Sequence, residues 1–369
     1  MRKDIPVCEF SVNEKDDDTV EVGLVSVMDE QRMPFEMRVV PNIAYFLGKR
    51  FSPTLHGIAG YNVLRGEEPL GAHFEDMIDF TGGFSLIDDF WMKRTDDKAK
   101  NWDGCNLFSN DISEEISRLA FTGEGTYSIT EFTRSPEFTT DGHVSKAWRR
   151  VEGVTYLYKA SLPWKGAYAS EQFSEYYASQ VAESLGLRYV KYGLEMWMGQ
   201  LCSTCELFTS ENLSYISARS LLLDINGYVQ KLERGSGQYQ QLADTILFDA
   251  LTVNIRHLGN FGFIQDNDSM DIIGLAPIFD NGMALLGDLS EDDLANPVCK
   301  SVYFVLGERM YARAKPEAIR SLLTSRQRKL AKEMAGFKFK RHGEFDMSEK
   351  RLELLESIIH SRASFLSVT

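Results

Sequence analysis

The sequence is poor in cysteine, proline and histidine and has no long apolar run. Five cysteines in 369 residues are too few, and odd in number, for a disulfide framework, so the chain reads as one from a reducing compartment. Cys202 and Cys205 are spaced CxxC, yet no second cysteine pair or histidine pair stands at zinc spacing. They read as small buried strand residues. No stretch approaches the ~20 apolar residues needed to cross a bilayer. The opening MRKDIPVCEFSVNEKDDD turns acidic without the apolar centre of a leader. A cytoplasmic protein with no membrane role is expected. Basic charge is in deficit too: 40 Lys and Arg face 54 Asp and Glu, a net charge of −14. Such a surface repels phosphate backbones and anionic lipids, and no direct DNA binding is expected. Internal repeats and low-complexity tracts are missing.

What is present is ordinary globular material, 43% hydrophobic and 12% aromatic, long enough for two or three domains at roughly 100–200 residues each. Residues 1–60 read as strand-rich, with period-two alternation at Val20, Val22 and Leu24 and again at Phe35, Met37 and Val39. The acidic run Glu14–Asp18 reads as a solvated loop. Residues 66–110 show no clear period, and 111–121 suggest a short helix. Beyond Tyr127 the pattern sharpens. Asp141–Gly142 has turn chemistry, and VTYLYKAS is a strand with Lys159 near its end. SEQFSEYYASQVAESLGL is a helix with Phe173, Tyr177, Val181 and Leu185 on one face, Ser170 as N-cap and Gly186 as stop. Residues 188–198 and 201–208 suggest two strands about a turn at Gly199–Gln200. QLADTILFDALTV is a helix with Leu242, Ile246, Ala250 and Val253 aligned. A hairpin follows, with its turn at Gln265–Asp268, and two more helical patterns begin near 316. Strands with one helix, then mostly helices, make an α+β arrangement rather than alternating βαβ units. The division expected is a strand-rich region over 1–105, a first lobe over 106–235 and a helical lobe over 236–369.

Four pieces carry candidate chemistry in a telling order. A glycine-containing loop, Thr139–Lys146, precedes a strand and lets backbone approach phosphate closely. Lys159 on the next strand is followed 16 residues later by Glu175 on a helix. Asn260 ends NIRHLGN, and Asp280 lies in APIFDNG, the two flanking a short hairpin. Lysines that neutralise phosphates, with an amide and a carboxylate as hard oxygen ligands for Mg²⁺, form the parts list of a phosphoryl transferase.

In this order the chain resembles the HipA-like kinases, serine/threonine kinases of the protein-kinase fold, over roughly residues 135–300. Thr139-Thr-Asp-Gly142-His-Val-Ser-Lys146 resembles the family's S-x-x-G-x-x-x-K phosphate loop, which implies nucleotide contacts at Thr139, Gly142, His143, Ser145 and Lys146. TYLYKAS carries the family's ATP-binding lysine as Lys159, with Glu175 as its partner. CELFTS resembles the hinge segment, so backbone groups of Glu206 and Phe208 are implied to hold adenine. RHLGNFGF and LAPIFDNG resemble the catalytic and metal-binding runs, which implies Mg²⁺ at Asn260 and Asp280. The resemblance further implies a two-lobed fold, ATP and Mg²⁺ as cofactors, a protein substrate and a separate antitoxin-like partner.

The chain departs from the family at one decisive position. The family's loop reads N-x-D-R-H-x-x-N, with an aspartate five residues before the metal-binding asparagine. Here that position is Ile255, and an isoleucine cannot accept a proton or orient a hydroxyl. The nearest polar substitutes are Asn254 and His257. Asp249 lies further back on the helix and is expected to face elsewhere. Three readings stay open: a kinase with reduced transfer, a pseudokinase that binds nucleotide and regulates a partner, and an interaction protein without ligand.

One stretch runs against the overall charge. Arg320–Arg341 holds eight basic residues against the single acidic Glu333. It is expected either to pair with the molecule's own carboxylates or to dock an acidic partner or RNA-bound substrate.

Overall fold

The structure, a computed structural model, describes residues 1–14, 20–50, 74–124, 132–140, 144–160, 171–221, 223, 225–254, 258–296 and 316–368. The acidic run beyond Glu14, the Asp141–Gly142 turn and Ser170 lie outside these residues. The chain is an α+β protein. It divides into two compact units that interleave along the sequence. The first holds Met1–Lys159, Glu206–Ile216 and Ile264–Ile273; the second holds Ala160–Cys205, Ser217–Phe263 and Gly274–Thr369. Among the described residues, no helix is long and apolar enough to cross a membrane.

The first unit opens with an antiparallel pair, β1 (Cys8–Glu14) and β2 (Val20–Val27), bulged between Glu9 and Phe10. The strand expected at Phe35–Val39 is instead a short helix, α1 (Phe35–Val39), followed by α2 (Ile43–Arg50). Three alternating residues are too few to fix a period. Pro34 sets the helix entry, the Val40 amide closes on the Glu36 carbonyl at 2.8 Å, and only Met37 of the three is buried. Met37, Ile43 and Leu47 pack with Val7, Met33, Ile78 and Met92 into one apolar cluster. The region without visible period contains α3 (Phe74–Thr81) and α4 (Trp102–Cys105). Its aromatics account for the missing period: Phe84 and Trp91 from loops join Trp102 of α4 in a second cluster, with Phe84 stacked on Trp91 at 5.0 Å. The expected short helix is α5 (Glu114–Thr122), capped by the Ser113 hydroxyl and stopped by Gly123 at φ +68°. β3 (Ser145–Val151) and β4 (Val154–Ala160) are neighbours in one sheet. β7 (Leu213–Ser217), β8 (Gly262–Asp266) and β9 (Ile272–Leu275) form a second sheet in that order, and this unit takes β7 up to Ile216, β8 from Ile264 and β9 up to Ile273.

The second unit begins with α6 (Glu171–Ser184). Tyr177, Val181 and Leu185 are buried on its expected face, and Gly186 leaves the helix at φ +64°. A two-residue turn, Met198–Gly199 with φ of 49° and 74°, joins β5 (Tyr192–Trp197) to β6 (Gln200–Glu206). Both turn residues are left-handed, which matches the strand twist of a tight hairpin. Cys202 and Cys205 are buried in β6 as free thiols. The strand stops at Glu206, two residues short of the expected end. After α7 (Ile225–Lys231) comes α8 (Gly237–Thr252), buried along most of its length. Val253, expected on its apolar face, is instead the C-cap in left-handed backbone at φ 54°. The remaining helices among the described residues are α9 (Glu291–Ala295), α10 (Pro316–Leu322), α11 (Ser325–Glu333) and α12 (Glu349–Ser367), one more from residue 316 onward than the sequence pattern suggested. Arg362 of α12 is 2% exposed and donates to the Ala250 carbonyl in the last turn of α8 at 3.0 Å. A cation at a buried helix C-terminus meets both the orphan carbonyl and the helix dipole.

Two predictions concern stability. Arg362→Ala removes this cap and a buried side chain, and should cost about 3 kcal/mol in urea unfolding. A loss under about 1 kcal/mol would mean that water reaches the α8 carbonyls. In the first unit, Asp89 pairs with buried Arg2 at 2.9 Å, while its second oxygen has no partner. Burial pushes its carboxyl up to about 6, although Arg2 draws it down. A folded value above the unfolded 3.8 means that this group favours the fold fully below about pH 4. That contribution is lost as pH rises through 6. Asp89→Asn cannot ionise, so its stability relative to the unaltered chain should rise from pH 4 to 7 by up to about 3 kcal/mol. A difference that stays flat across this window would mean that Asp89 is charged throughout it.

Candidate functional site

The end of α8 is where the second unit builds its polar centre. The amides of Val253 and Asn254 both close on the Asp249 carbonyl, the latter at 3.0 Å. This turns the chain sharply and points Asn254 inward. Asn254 Nδ2 then donates to Asp249 Oδ1 at 3.0 Å and to Asn281 Oδ1 at 3.2 Å. Asp249, Asn254 and Asn281 are each 2% exposed or less. Asp249 therefore faces Asn254 in the core, and Asn254 Oδ1 is a buried acceptor with no hydrogen-bond partner. The Leu285 amide donates to the Thr252 carbonyl at 2.8 Å and ties the segment after Asp280 to the same helix end.

Asn260 and Asp280 come together in this unit. Asn260 closes a 3₁₀ turn, Leu258–Asn260, that leads into β8. Asp280 follows β9. In an antiparallel hairpin the entry and the exit lie at the same end, here joined by the Ala276 amide on the Gly262 carbonyl at 2.9 Å. Asn260 Nδ2 donates to Asp280 Oδ2 at 2.5 Å. Asp280 has left-handed backbone at φ 53°. Its amide donates to the Tyr192 hydroxyl at 2.9 Å, and Ile278 bridges Tyr189 in parallel. Burial pushes the Tyr192 phenol well above its ordinary range, so the hydroxyl stays protonated.

Three neighbours of this pair carried no signal in the sequence reading. A side chain at Gly282 would meet Glu171 Oε2 at 2.9 Å, so glycine there lets a second carboxyl-bearing residue approach the turn after Asp280. A side chain at Gly259 would meet Arg219 Cζ at 3.2 Å, so an exposed guanidinium lies against the turn that ends in Asn260. Asn281 is the third, and a polar residue beside Asp280 was the one available hint. Glu175 is fully buried on α6 and accepts a hydrogen bond from the Ser203 hydroxyl of β6.

The first unit holds most of the residues assigned to the nucleotide, while Glu175 belongs to the second. Lys146 on β3 and Lys159 on β4 are both 7% exposed. Ser145 is half-buried at the start of β3. Thr139 and Thr140 hold a turn: Thr139 Oγ1 donates to the Phe84 carbonyl at 2.9 Å and Thr140 Oγ1 to that of Pro136 at 2.7 Å. Behind them Glu137, 1% exposed, accepts from the Ser117 hydroxyl at 3.0 Å, the Trp148 amide at 2.8 Å and the Ser135 hydroxyl. Burial pushes its carboxyl up against these three donors. Glu137 thus fixes α5, the turn and β3 to one another. Glu206 is exposed and accepts from the Tyr156 hydroxyl at 3.2 Å. Phe208 packs edge-on to Tyr215 at 5.7 Å. Gly142, His143 and His257 lie outside the described residues, as does Ile255.

Among the described residues no cluster of three His, Cys, Asp or Glu is suited to hold a metal ion. An amide and a carboxylate are instead the hard, sparse oxygen set with which Mg²⁺ retains waters and phosphate ligands. Four of the eight basic residues between Arg320 and Arg341 pair with the unit's own carboxylates: Arg326 with Asp244 at 2.5 Å, Lys338 with Glu356 at 2.5 Å, Lys340 with Glu183 at 3.7 Å and Arg341 with Glu349 at 3.8 Å.

No protein-family description matches the chain, and no curated protein matches it. Among solved structures it is similar to the proinflammatory kinase CtkA of Helicobacter pylori, at 17% identity and a TM-score of 0.42, over 60% of this chain and 92% of that one. It is also similar to a chain from the toxin–antitoxin complex of HipA, HipB and operator DNA of Shewanella oneidensis MR-1. That match has 11% identity and a TM-score of 0.33, over 59% of this chain and 63% of that one.

Proposed function

We propose that the chain binds ATP and Mg²⁺ and acts as a HipA-like kinase on serine or threonine of a protein, with transfer weakened by Ile255. The observation that carries this reading is the meeting of Asn260 and Asp280 at the open end of the β8–β9 hairpin. Asn260 Oδ1 and the Asp280 carboxylate hold Mg²⁺ in this proposal. The ion, when bound, neutralises charge on the transferring phosphoryl group. The sequence resemblance gives phosphate contacts to the loop of Thr139, Gly142, His143, Ser145 and Lys146, and to Lys159 with Glu175. Backbone groups of Glu206 and Phe208 take adenine. Asn254 and His257 are the polar groups nearest the acceptor position in sequence: Asn254 can orient a hydroxyl but is a poor base, and His257 can act as a base but stands two residues past the position of the family's aspartate. A separate antitoxin-like protein is the proposed partner, and the cytoplasm the proposed location.

Ile255 itself favours a second reading, a pseudokinase that binds nucleotide and works by shape. Two measurements separate the readings. Saturating ATP·Mg²⁺ should raise stability by about 2.7 kcal/mol at 100 times the dissociation constant. Asp280→Asn should lose the Mg²⁺-dependent part of this shift. Absence of any shift at millimolar nucleotide would leave an interaction protein as the better description. With labelled ATP, the unaltered chain should incorporate phosphate slowly and Ile255→Asp about 10²-fold faster, the gain expected from restoring an acceptor base. Incorporation confined to the variant would establish the pseudokinase.

A further inference from the structure

The second unit contains a cationic cavity outside the Asn260–Asp280 site. Arg234, Arg326 and Arg328 line an open space of about 570 Å³, together with Gln240, Thr324 and Ser325, and among the described residues no carboxylate belongs to the lining. In a chain of net charge −14, three guanidiniums around one space run against the overall charge. The volume lies within the ~300–1,000 Å³ usual for small-molecule sites.

The arginines are positioned mostly by neutral groups. Arg234 lies over the Tyr239 ring at 5.8 Å, and its Nε donates to the Tyr239 hydroxyl at 3.3 Å. Its Nη2 donates to the Ser321 carbonyl. The Tyr239 hydroxyl is itself fixed on the Leu322 carbonyl at 3.0 Å. Arg328 Nη2 donates to the Arg320 carbonyl at 3.2 Å, while its Nε is buried with no hydrogen-bond partner. Only Arg326 meets a carboxylate, Asp244 at 2.5 Å. Carbonyl and phenol partners orient a guanidinium without cancelling its charge, so two of the three cations stay uncompensated. The first turn of α11, which contributes Ser325 and Arg326, adds the positive end of a helix dipole.

We propose that this cavity binds the phosphate of a small phosphate-bearing anion, a pyrophosphate or phosphomonoester. Planar forks bind phosphate oxygens in pairs, and two uncompensated guanidiniums match the charge of a dianion. A long polyanion is disfavoured, because the acidic remainder of the surface repels whatever extends beyond the cavity. Charges are screened over ~8 Å at physiological salt, so a small ligand feels chiefly the local arginines.

Calorimetric titration with sodium pyrophosphate, without Mg²⁺, tests the proposal. A parallel titration with a short phosphoserine peptide distinguishes a free phosphate from one carried on protein. Saturable one-site binding is expected for at least one of the two. Arg328→Gln should weaken it at least tenfold. Ser325→Asp provides a second variant that disturbs no packed arginine. An acid at the first helical position suits the helix dipole, so this variant should melt no lower than the unaltered chain and yet bind at least tenfold more weakly. Lys159→Met should leave the affinity unchanged. The proposal fails if neither probe saturates, if Ser325→Asp binds like the unaltered chain, or if Lys159→Met rather than Arg328→Gln removes the binding.

Discussion

A helix that ends inside a protein leaves carbonyls that water cannot reach, and each must find a donor. In the second unit α8 ends this way, and its carbonyls govern what surrounds them. That of Asp249 takes the Val253 and Asn254 amides, that of Ala250 takes Arg362, and that of Thr252 takes the Leu285 amide. Two donors lie in the turn before Ile255, one on α12 and one in the segment after Asp280. The loops that carry Asn254 and Asp280 are therefore not placed by their own preferences. They are held by the hydrogen-bonding needs of one helix terminus.

The first unit uses buried carboxylates for a comparable purpose, at a higher electrostatic cost. Arg50 grips Asp88 with two bonds of 2.8 Å, and Arg2 holds Asp89. Glu137 relies on hydroxyl and amide donors. Such groups rarely add net stability over a well-packed apolar core. They do restrict geometry, because the donors stand at fixed positions and an oxygen that loses its last donor is left buried without a partner. Glu137 stands two residues before Thr139 and accepts the Trp148 amide two residues past Lys146. It thus fixes both edges of the stretch read as a phosphate loop, whatever that loop binds.

The sequence was informative where one period ran long. The apolar face of α6, the α8 helix through Ala250, the hairpin of β8 and β9 and a short helix within 111–121 were all legible in the residue pattern. It misled where the pattern was short, as at Phe35–Val39, or where the core was assembled from loop aromatics such as Phe84 and Trp91, which obey no period. The pair of Asn260 and Asp280 was legible because a hairpin brings its flanks together. Glu171 and Arg219 were not. Each approaches the site against a glycine, at 282 and 259, and the absence of a side chain leaves no pattern that points to its distant neighbour. Val253 was misplaced for a related reason: periodicity cannot announce a left-handed cap occupied by a β-branched residue.

That class of backbone recurs at Asp280 itself. A non-glycine residue at φ 53° costs about 1–2 kcal/mol relative to ordinary helical backbone. It persists only where the surroundings over-determine it. Here they do: the Tyr192 hydroxyl accepts the Asp280 amide, the Ile278 amide donates to Arg188 at 2.9 Å, and the Ala284 amide closes on Asn281 at 3.0 Å. Glycine stands two residues away at 282, so the chain could have placed its permissive residue at 280 and has a carboxylate there instead. The strain is the cost of keeping a charged oxygen at that point. An outlier held this firmly argues that the side chain at 280, rather than the turn, is what the local structure preserves.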